Sequence, residues 1–341
     1  MSKELILNVD NEVKLHSLLT KAREIQARCF DYTLSDFKPS TVCYKDGSLM
    51  FVNPENLDST EQDRKVMSYQ MSRYSLSQLC TKLGVPFRYI DKCYKSGESA
   101  LVDSNINTWL TSYNKPLFVR TYGDVVRGVL SNRFTTFDTP NILESLDHSG
   151  VFDSLEIKGF FLTSERFHLR AVYPDMIKVP GEDLFSGIQV DSSDVGRSTC
   201  TVKFFVYKQV CTNGLCINKL GGSLFTQRHI GMSIKEFEKA FVESLDRVPE
   251  LVAITESKIN EARKVPGVLS YNDTTKDLVI ESIQKQTGLS KENSDKVYNL
   301  MDSKYGYTKW GYVNSLTEIA QEFTLERRLD IENMAGEILV A

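Results

Sequence analysis

The sequence predicts an α+β fold in which a central, mostly antiparallel sheet is flanked by helical regions at both ends of the chain. Runs rich in valine and aromatic residues are concentrated between about residues 117 and 210, whereas segments with apolar residues at helical spacing lie mainly before and after them. Helices and strands that are segregated along a chain in this way indicate an α+β domain rather than a doubly wound one.

The N-terminal region, residues 1–110, is predicted to be mainly helical with one small hairpin. An amphipathic helix is expected over residues 10–30, because apolar residues recur there near helical spacing. The hairpin is expected over residues 39–52, where Asp46-Gly47 separates two β-prone runs. Three short helices should follow, over residues 75–83, 86–95 and 98–113.

The central region, residues 111–232, is predicted to form an α+β sheet domain. Its first hairpin spans residues 117–130 around Gly123-Asp124, and Asp138-Thr139-Pro140 is a favourable start for a helix. The further strands are expected over residues 156–162, 167–173, 185–190 and 199–210.

The C-terminal region, residues 233–341, is predicted to be helical again. Helices are expected from residue 233 onward and over residues 277–287, 291–305 and 309–323, with a tail from residue 327. No linker rich in Gly, Ser or Pro separates the three regions, so we expect one interlocked body rather than three independent domains.

Composition excludes several classes of protein. The 341 residues are 41% hydrophobic and 25% charged, as in globular proteins, and the formal net charge of −4 argues against a uniformly basic nucleic-acid coat. No segment approaches the roughly 18 apolar residues of a membrane span, and the N-terminus lacks the pattern of a signal peptide. We therefore expect a cytoplasmic protein.

The charges are distributed unevenly. The acidic excess lies in the C-terminal region, whereas no Asp or Glu occurs between residues 195 and 235. A second acid-poor stretch runs from residue 104 to 137, where Asp124 is the only acid. Surfaces normally mix both signs of charge, so a long acid-free stretch indicates a local basic surface.

Basic and aromatic residues alternate in these stretches, as single-stranded nucleic acid requires. Cations replace the counterions of the phosphates, and aromatic rings stack on bases. The alternative is a core strand whose aromatic residues point inward while its lysines point into solvent. The residues predicted to contact nucleic acid are Arg127, Arg133, Arg197, Lys203, Phe205, Tyr207, Lys208 and Arg228.

Enzymatic signatures are weak, so we predict neither a catalytic residue nor a cofactor nor a metal. The phosphate-binding loop, dinucleotide, nucleophile-elbow and zincin motifs are absent from the sequence. Seven cysteines without a C-x-x-C pair argue against a zinc site, although Cys211 and Cys216 could form a redox pair or simply be buried thiols. Asp191 and Asp194 could hold a hard cation or form a turn.

Several phrases of the sequence resemble a known family. They are SLSQLCTKLGVPFRYI, RGVLSNRFTTFD, VDSSDVGRSTCTVKFFVYKQVCTNGLC, RHIG and KWGYVNSLTEIAQ. Together they resemble the phage/plasmid-like family catalogued as domain of unknown function number nine hundred and thirty-two, over roughly residues 70–325. The sequence departs from the family at residues 191–194, where Asp-Ser-Ser-Asp stands in place of the expected Asn-Ser-Glu type of turn. The resemblance implies an origin in a mobile element.

The order of elements is also similar to that of the single-strand annealing proteins of phages, of the RecT and Red-beta type, which is an analogy of fold. Our leading hypothesis is therefore a non-enzymatic homo-oligomer that binds single-stranded DNA for annealing, recombination or protection. A second hypothesis is a factor that binds a host or phage protein, for example against a defence system. This factor would bind its partner through an aromatic patch of Tyr305, Tyr307, Trp310 and Tyr312. A third hypothesis is a metal-dependent nuclease that uses Asp191 or Asp194.

Overall fold

The fold is α+β, as the sequence predicts, and contains two sheets. The computed structural model describes residues 5–9, 15–57, 59, 64–208, 213–216, 224–229, 231, 233–268 and 275–341. Within these ranges, none of the helices combines the length and the apolar content that a bilayer span requires.

The strands in chain order are β1 (Leu5–Val9), β2 (Cys29–Leu34), β3 (Val42–Lys45), β4 (Ser48–Val52), β5 (Val66–Met71), β6 (Leu117–Tyr122), β7 (Val125–Ser131), β8 (Glu156–Thr163), β9 (Phe167–Ile177), β10 (Leu184–Ser192), β11 (Cys200–Lys208), β12 (Asn213–Cys216) and β13 (Phe225–Gln227). The helices are α1 (Leu15–Gln26), α2 (Arg73–Leu83), α3 (Phe87–Lys95), α4 (Ser99–Thr111), α5 (Thr139–His148), α6 (Ile234–Leu245), α7 (Val248–Ala262), α8 (Lys276–Thr287), α9 (Lys291–Leu300), α10 (Lys309–Ala320) and α11 (Leu325–Val340).

The first sheet has the strand order β2-β6-β7-β5-β4-β3, and α2, α3 and α4 pack against it to form one core. The predicted hairpin over residues 39–52 is present as β3 and β4. Its turn residues Asp46 and Gly47 have φ values of 48° and 83°, which suits a tight hairpin turn. β5 and β7 pair in parallel, whereas the other neighbouring strands are antiparallel.

The second sheet has the order β1-β8-β9-β10-β11-β12, and β13 also pairs with β11. One face of its central strands is apolar and contributes Leu169, Ile188, Val190, Val202 and Phe204 to the larger core. Because strand residues alternate between faces, the residues between them point to the opposite face. Helices α1, α5 and α6–α11 pack onto this face and contribute further residues to the core, as does β8.

The division of the chain differs from the three predicted regions. β6 and β7, which were assigned to the central region, pair with β2 and β5 of the N-terminal region, so the boundary predicted at residue 110 passes through the first sheet. The helix expected over residues 10–30 ends at Gln26, and the β-prone run CFDYTL forms β2 instead. The strand is stabilised by pairing with β6, a partner nearly ninety residues away along the chain.

The two sheets meet at a buried ion-pair cluster around Arg120 of β6. The guanidinium, whose side chain is 2% exposed, forms two hydrogen bonds with Asp138 at 2.6 and 2.5 Å and two with Asp31 at 2.9 and 3.0 Å. It also donates to the backbone carbonyl of Asp194 at 2.6 Å. Burial alone would lower the pKa of Arg120, but the carboxylates outweigh it and raise the pKa.

The loop between β10 and β11 completes the junction. It comprises residues 193–199, with the sequence SDVGRST, and packs against the first sheet and its helix α2. The side-chain amide of Gln78 in α2 makes two hydrogen bonds of 2.9 Å. Its Nε2 donates to the Val195 carbonyl, and its Oε1 accepts from the Val129 backbone N–H of β7. A Cβ at Gly128 would lie 3.0 Å from the side chain of Val195, so glycine allows this close contact.

Arg120→Met should destabilise the protein by about 3–5 kcal/mol, because Asp31 and Asp138 would lose their shared cation while Asp138 stays buried. Urea unfolding followed by tryptophan fluorescence and circular dichroism would measure the change. Arg23→Met is the matched control, since Arg23 pairs with Glu144 at a solvent-exposed position and should cost less than about 1 kcal/mol. Equal losses in the two variants would contradict a special role for Arg120.

Candidate nucleic-acid interface

The face of the second sheet opposite its core carries polar residues, and we call it the polar face. Asp191 of β10 lies opposite His168 of β9 and Thr201 of β11. Two residues along the strands, on the same face, Gln189 lies opposite Arg170 and Lys203. Residues directly opposite each other on one face interact, so these two rows form a continuous polar network across three strands.

The network is anchored by a buried ion pair with α11. Arg170 donates to Gln189 Oε1 at 2.9 and 2.8 Å and also to Glu332, which is fully buried. Arg328 of α11 donates to the second oxygen of Glu332 at 2.9 Å. Burial would raise the pKa of Glu332, but the two arginines outweigh it and lower the pKa. The C-terminal helix is therefore fixed to the sheet by paired charges.

Asp191 is the central residue of the row that also contains His168 and Thr201. Its Oδ1 lies 2.6 Å from His168 Nδ1, and its Oδ2 accepts a hydrogen bond of 2.6 Å from Gln189. Lys203 Nζ lies 3.9 Å from the same Oδ2. Burial alone would raise the pKa of Asp191, but His168 and Lys203 outweigh it and lower the pKa to about 2. Because the Asp191 carboxylate can only accept a hydrogen bond at neutral pH, Nδ1 of His168 carries the proton of this bond. Nε2, the other ring nitrogen, takes no part in it.

The four predicted residues on β11 are divided between the two faces. Lys203 is beside Asp191, as described above, and Tyr207 is half-buried on the same face. Phe205 is fully buried, with the guanidinium of Arg170 5.2 Å from the centre of its ring. Lys208 alternates to the other face, where it lies 2.8 Å from Glu182 and 2.9 Å from Asn314.

The prediction that Phe205 stacks on bases is therefore incompatible with its position. A Cβ on Gly187, the residue opposite it, would lie only 2.5 Å from the ring, so Phe205 fills the space that this glycine leaves open. A ring packed in this way has no face open to solvent. Lys208 is likewise occupied by contacts within the chain.

Two of the predicted arginines hold the loop between β10 and β11. Arg127, 4% exposed, forms a 3.4 Å ion pair with Asp194, whose other oxygen accepts from Thr139. Arg197 is ion-paired with Glu165, and its guanidinium lies 5.4 Å from the ring centre of Tyr74. Both cations thus stabilise the junction of the two sheets rather than an open surface.

The remaining two arginines, Arg133 and Arg228, are exposed. Neither forms an ion pair among the parts of the chain that the structure describes. Their neighbours stack on each other: the rings of Phe134 and His229 are 5.0 Å apart with planes inclined by 5°. The Thr135 backbone also donates to the His229 carbonyl at 2.9 Å. Two distant chain segments therefore lie side by side, and we call Arg133, Phe134 and Arg228 the edge patch.

The edge patch lies close to the polar face, because β13 connects the two along β11. β13 pairs with β11 so that Thr226 lies opposite Thr201, and Arg228 follows two residues later. His229 is connected to the end of β10, since its Nε2 lies 3.3 Å from the hydroxyl of Ser192. The half-buried ring of Phe134 also covers Arg120, whose guanidinium carbon is 5.8 Å from its centre.

Asp191 and Asp194 point to different partners, since the first binds His168 and the second binds Arg127 and Thr139. Across the described ranges, no group of three or more His, Cys, Asp or Glu side chains is placed to hold a metal ion. Cys211 lies outside the described residues, and of Cys216 only its backbone position in β12 is described.

The C-terminal aromatic residues mainly pack inside the protein. Trp310 and Tyr312 are 6% and 0% exposed, and the indole donates to Glu182 at 2.7 Å. Tyr305 and Tyr307 are half-buried and hydrogen-bond to Glu318 and Asp302. Trp310 and Tyr312 therefore belong to the core, so the predicted aromatic patch is not an exposed surface at these two positions.

Residues 126–335 match the family described as Domain of unknown function (DUF932). The chain belongs to this family. The matched region starts in β7 and ends in α11, so it contains the loop between β10 and β11, the edge patch and the whole polar network. No curated protein and no solved structure matches the chain.

Two features of these surfaces were not predicted: Phe134 as part of the edge patch, and the pairing of His168 with Asp191 on the polar face. Phe134 follows Arg133 in the acid-poor stretch, so the same pattern could have included it. The pairing of His168 with Asp191 depends on the register of β9 and β10, which has no local signal in the sequence.

His229 should make the protein sensitive to acid. Burial lowers the pKa of His229 from 6.5 to about 4, although Asp138 partly opposes this. The folded state thus favours the neutral ring, and stability from this group is complete above pH 6.5 and is lost as the pH falls toward 4, by up to about 3 kcal/mol. Urea unfolding at pH 7 and pH 4.5 would measure it.

His229→Gln should lose less stability than the wild type between these two pH values, because glutamine does not titrate. His148→Gln is the control, since His148 is exposed on α5, and it should behave as the wild type. An identical loss in the wild type and in His229→Gln would exclude His229 as the acid-sensitive group.

Proposed function

We propose that the chain binds single-stranded DNA without catalysing a reaction on it. Its role would be to anneal, recombine or protect strands of a phage or other mobile element in the cytoplasm of a host. The observation that supports this most is the edge patch, in which two exposed arginines flank a half-buried aromatic ring. The cations suit backbone phosphates, and the exposed part of the Phe134 ring, beyond its contacts with His229 and Phe118, would contact a base.

The position of the patch also favours nucleic acid. Arg133 belongs to one acid-poor stretch and Arg228 to the other, and the fold brings the two stretches together through the contacts of Thr135 and Phe134 with His229. Two acid-poor regions of the sequence are thus adjacent in space. A strand that crosses from one arginine to the other would pass over Phe134.

Arg133→Ala/Arg228→Ala should weaken the binding of a labelled 40-nucleotide strand by about tenfold at low salt. Each lost phosphate contact on a single strand lowers the slope of log affinity against log salt by about 0.7, so the slope should become shallower by about 1.4. Fluorescence anisotropy titrations at several salt concentrations would measure both quantities.

The matched control is Arg88→Ala/Lys92→Ala, which removes two exposed cations from α3. This variant has the same net charge as the first, and its affinity and slope should stay near those of the wild type. Equal effects in the two double variants would show that binding depends on net charge alone, which would contradict the proposed patch.

An apolar stripe on α3 and α4 supports the further proposal that the chain forms a homo-oligomer. Leu101 and Trp109 are 43% and 50% exposed, and they lie within one helical stripe of α4. Tyr89 of α3 is 41% exposed and lies beside Asn105, which is between them on α4. Exposed apolar stripes of this kind mark protein contacts. The same stripe is where a host or phage protein would bind in the alternative function.

Trp109→Ser should lower the molar mass of the protein in light scattering, if the stripe joins copies of the chain. Thr108→Ser, at the neighbouring exposed position, is the control and should leave the mass unchanged. A wild-type protein that is monomeric at all concentrations would contradict this proposal and would favour a different partner for the stripe.

A further inference from the structure

A cavity of about 270 Å³ opens on the polar face where β8, β9, β10 and β11 approach α11. Its walls include Phe161, His168, Asp191, Thr199 and Lys203. Pockets for small organic ligands begin at about 300 Å³, so this cavity suits one small group rather than a long segment of polymer. The edge patch does not contribute to its lining, so the cavity is a separate site.

The walls combine an aromatic ring, a cation and hydroxyl groups with the carboxylates of Asp191 and Asp330. Phe161 of β8 lies opposite His168 on the polar face and is half-buried, so part of its ring faces the cavity. On the other side, Lys203 provides a cation, and Ser198 and Thr199 provide hydroxyl groups. Aromatic stacking suits a nucleobase, whereas a lysine with adjacent hydroxyls suits a phosphate.

The centre of the cavity is prepared for a polar group. Asp191 and Gln189 fix each other through a 2.6 Å hydrogen bond, and Asp191 orients His168 through its Nδ1. Nε2 of His168 is the ring nitrogen that is not engaged with Asp191, so it is placed for a hydrogen bond with a sugar hydroxyl or a base. Because these side chains are held by partners, a ligand would meet a preformed site rather than one that has to be ordered.

We propose that this cavity binds one nucleoside 5′-phosphate, with its base on Phe161 and its phosphate on Lys203 and the hydroxyls of Ser198 and Thr199. The proposal rests on the proposed binding of nucleic acid for the choice of ligand. Two molecules would supply a nucleoside 5′-phosphate to this cavity: a free mononucleotide, or a bound strand through its 5′-terminal nucleotide. Arg228 follows β13 close to the cavity wall at Thr201, so a strand on the edge patch could end there.

Isothermal titration calorimetry of the full chain with dTMP, thymidine and inorganic phosphate would test the site. We expect dTMP to bind at least tenfold more tightly than thymidine or phosphate, because it alone makes both kinds of contact. Lys203→Gln should weaken dTMP by about tenfold, and Phe161→Leu should weaken it by a similar factor. Lys158→Gln, which changes a lysine of β8 paired with Glu156, should leave it unchanged.

The two sources are separated by anisotropy with strands that carry either a 5′-phosphate or a 5′-hydroxyl. A preference for the 5′-phosphate that Lys203→Gln removes assigns the cavity to the strand terminus. Binding of dTMP without such a preference assigns it to a free mononucleotide. If dTMP fails to bind and the two strands bind equally, the inference is wrong.

Failure of the cavity proposal can be distinguished from failure of the proposed binding of single-stranded DNA. Loss of strand binding is tested by Arg133→Ala/Arg228→Ala, whereas mononucleotide binding is tested by Lys203→Gln and Phe161→Leu. A protein that binds dTMP but no strand would retain the cavity site and refute the edge patch. Phe161→Leu also keeps the test valid if Lys203→Gln does not fold, since it leaves the ion pairs around Asp191 intact.

Discussion

The burial of Arg120 is the constraint on which the arrangement of the two sheets depends. A guanidinium removed from water is costly unless carboxylates and other acceptors surround it. Here the acceptors come from Asp31 on β2, Asp138 at the start of α5 and the backbone of Asp194. These residues are far apart in the sequence, so one side chain fixes an edge strand, a helix start and the loop that joins β10 to β11.

The same requirement for pairing explains why the acid-poor stretch is not an open basic surface. Arg197 and Lys208 are paired with Glu165 and Glu182, whereas Lys203 lies 3.9 Å from Asp191 and also lines the cavity on the polar face. All three acids precede the stretch in the sequence, and the fold brings them to the cations. Absence of acids in a segment therefore does not predict absence of acids around it.

Arg133 and Arg228 differ from these cations because they follow the ends of β7 and β13, where the chain leaves the sheet. Side chains at strand ends can point away from the packed layers. The ion pairs at the junction hold the strands, and the two strand ends bring the exposed arginines together beside Phe134. The proposed interface is thus a consequence of the junction.

Much of the fold could be predicted from local sequence patterns. The hairpin at Asp46-Gly47, the helix that begins after Asp138 and the strands β8 to β11 are all encoded by turn residues, caps and alternation near each element. The first sheet could not be predicted as a unit, because β2 and β5 pair with β6 and β7 across long stretches of chain. Pairing of this kind is decided by tertiary contacts.

The candidate site was predictable in composition but not in geometry. The acid-poor stretches include Arg133 and Arg228, which are exposed, but they also include Phe205, which lies opposite Gly187 and is fully buried. Alternation along β11 separates Lys203 from Lys208, yet the sequence does not show which face is covered by helices. The partnership of His168 with Asp191 needs the strand register as well.

Photo-crosslinking would test the central claim most directly, which is that the junction of the two sheets presents the nucleic-acid surface. A single strand containing 4-thiothymidine would be bound to the full chain, irradiated, and the linked peptides identified by mass spectrometry. The account predicts links to peptides that contain Phe134 or Arg228. Links confined to α3 and α4 or to the helices after residue 233 would contradict it.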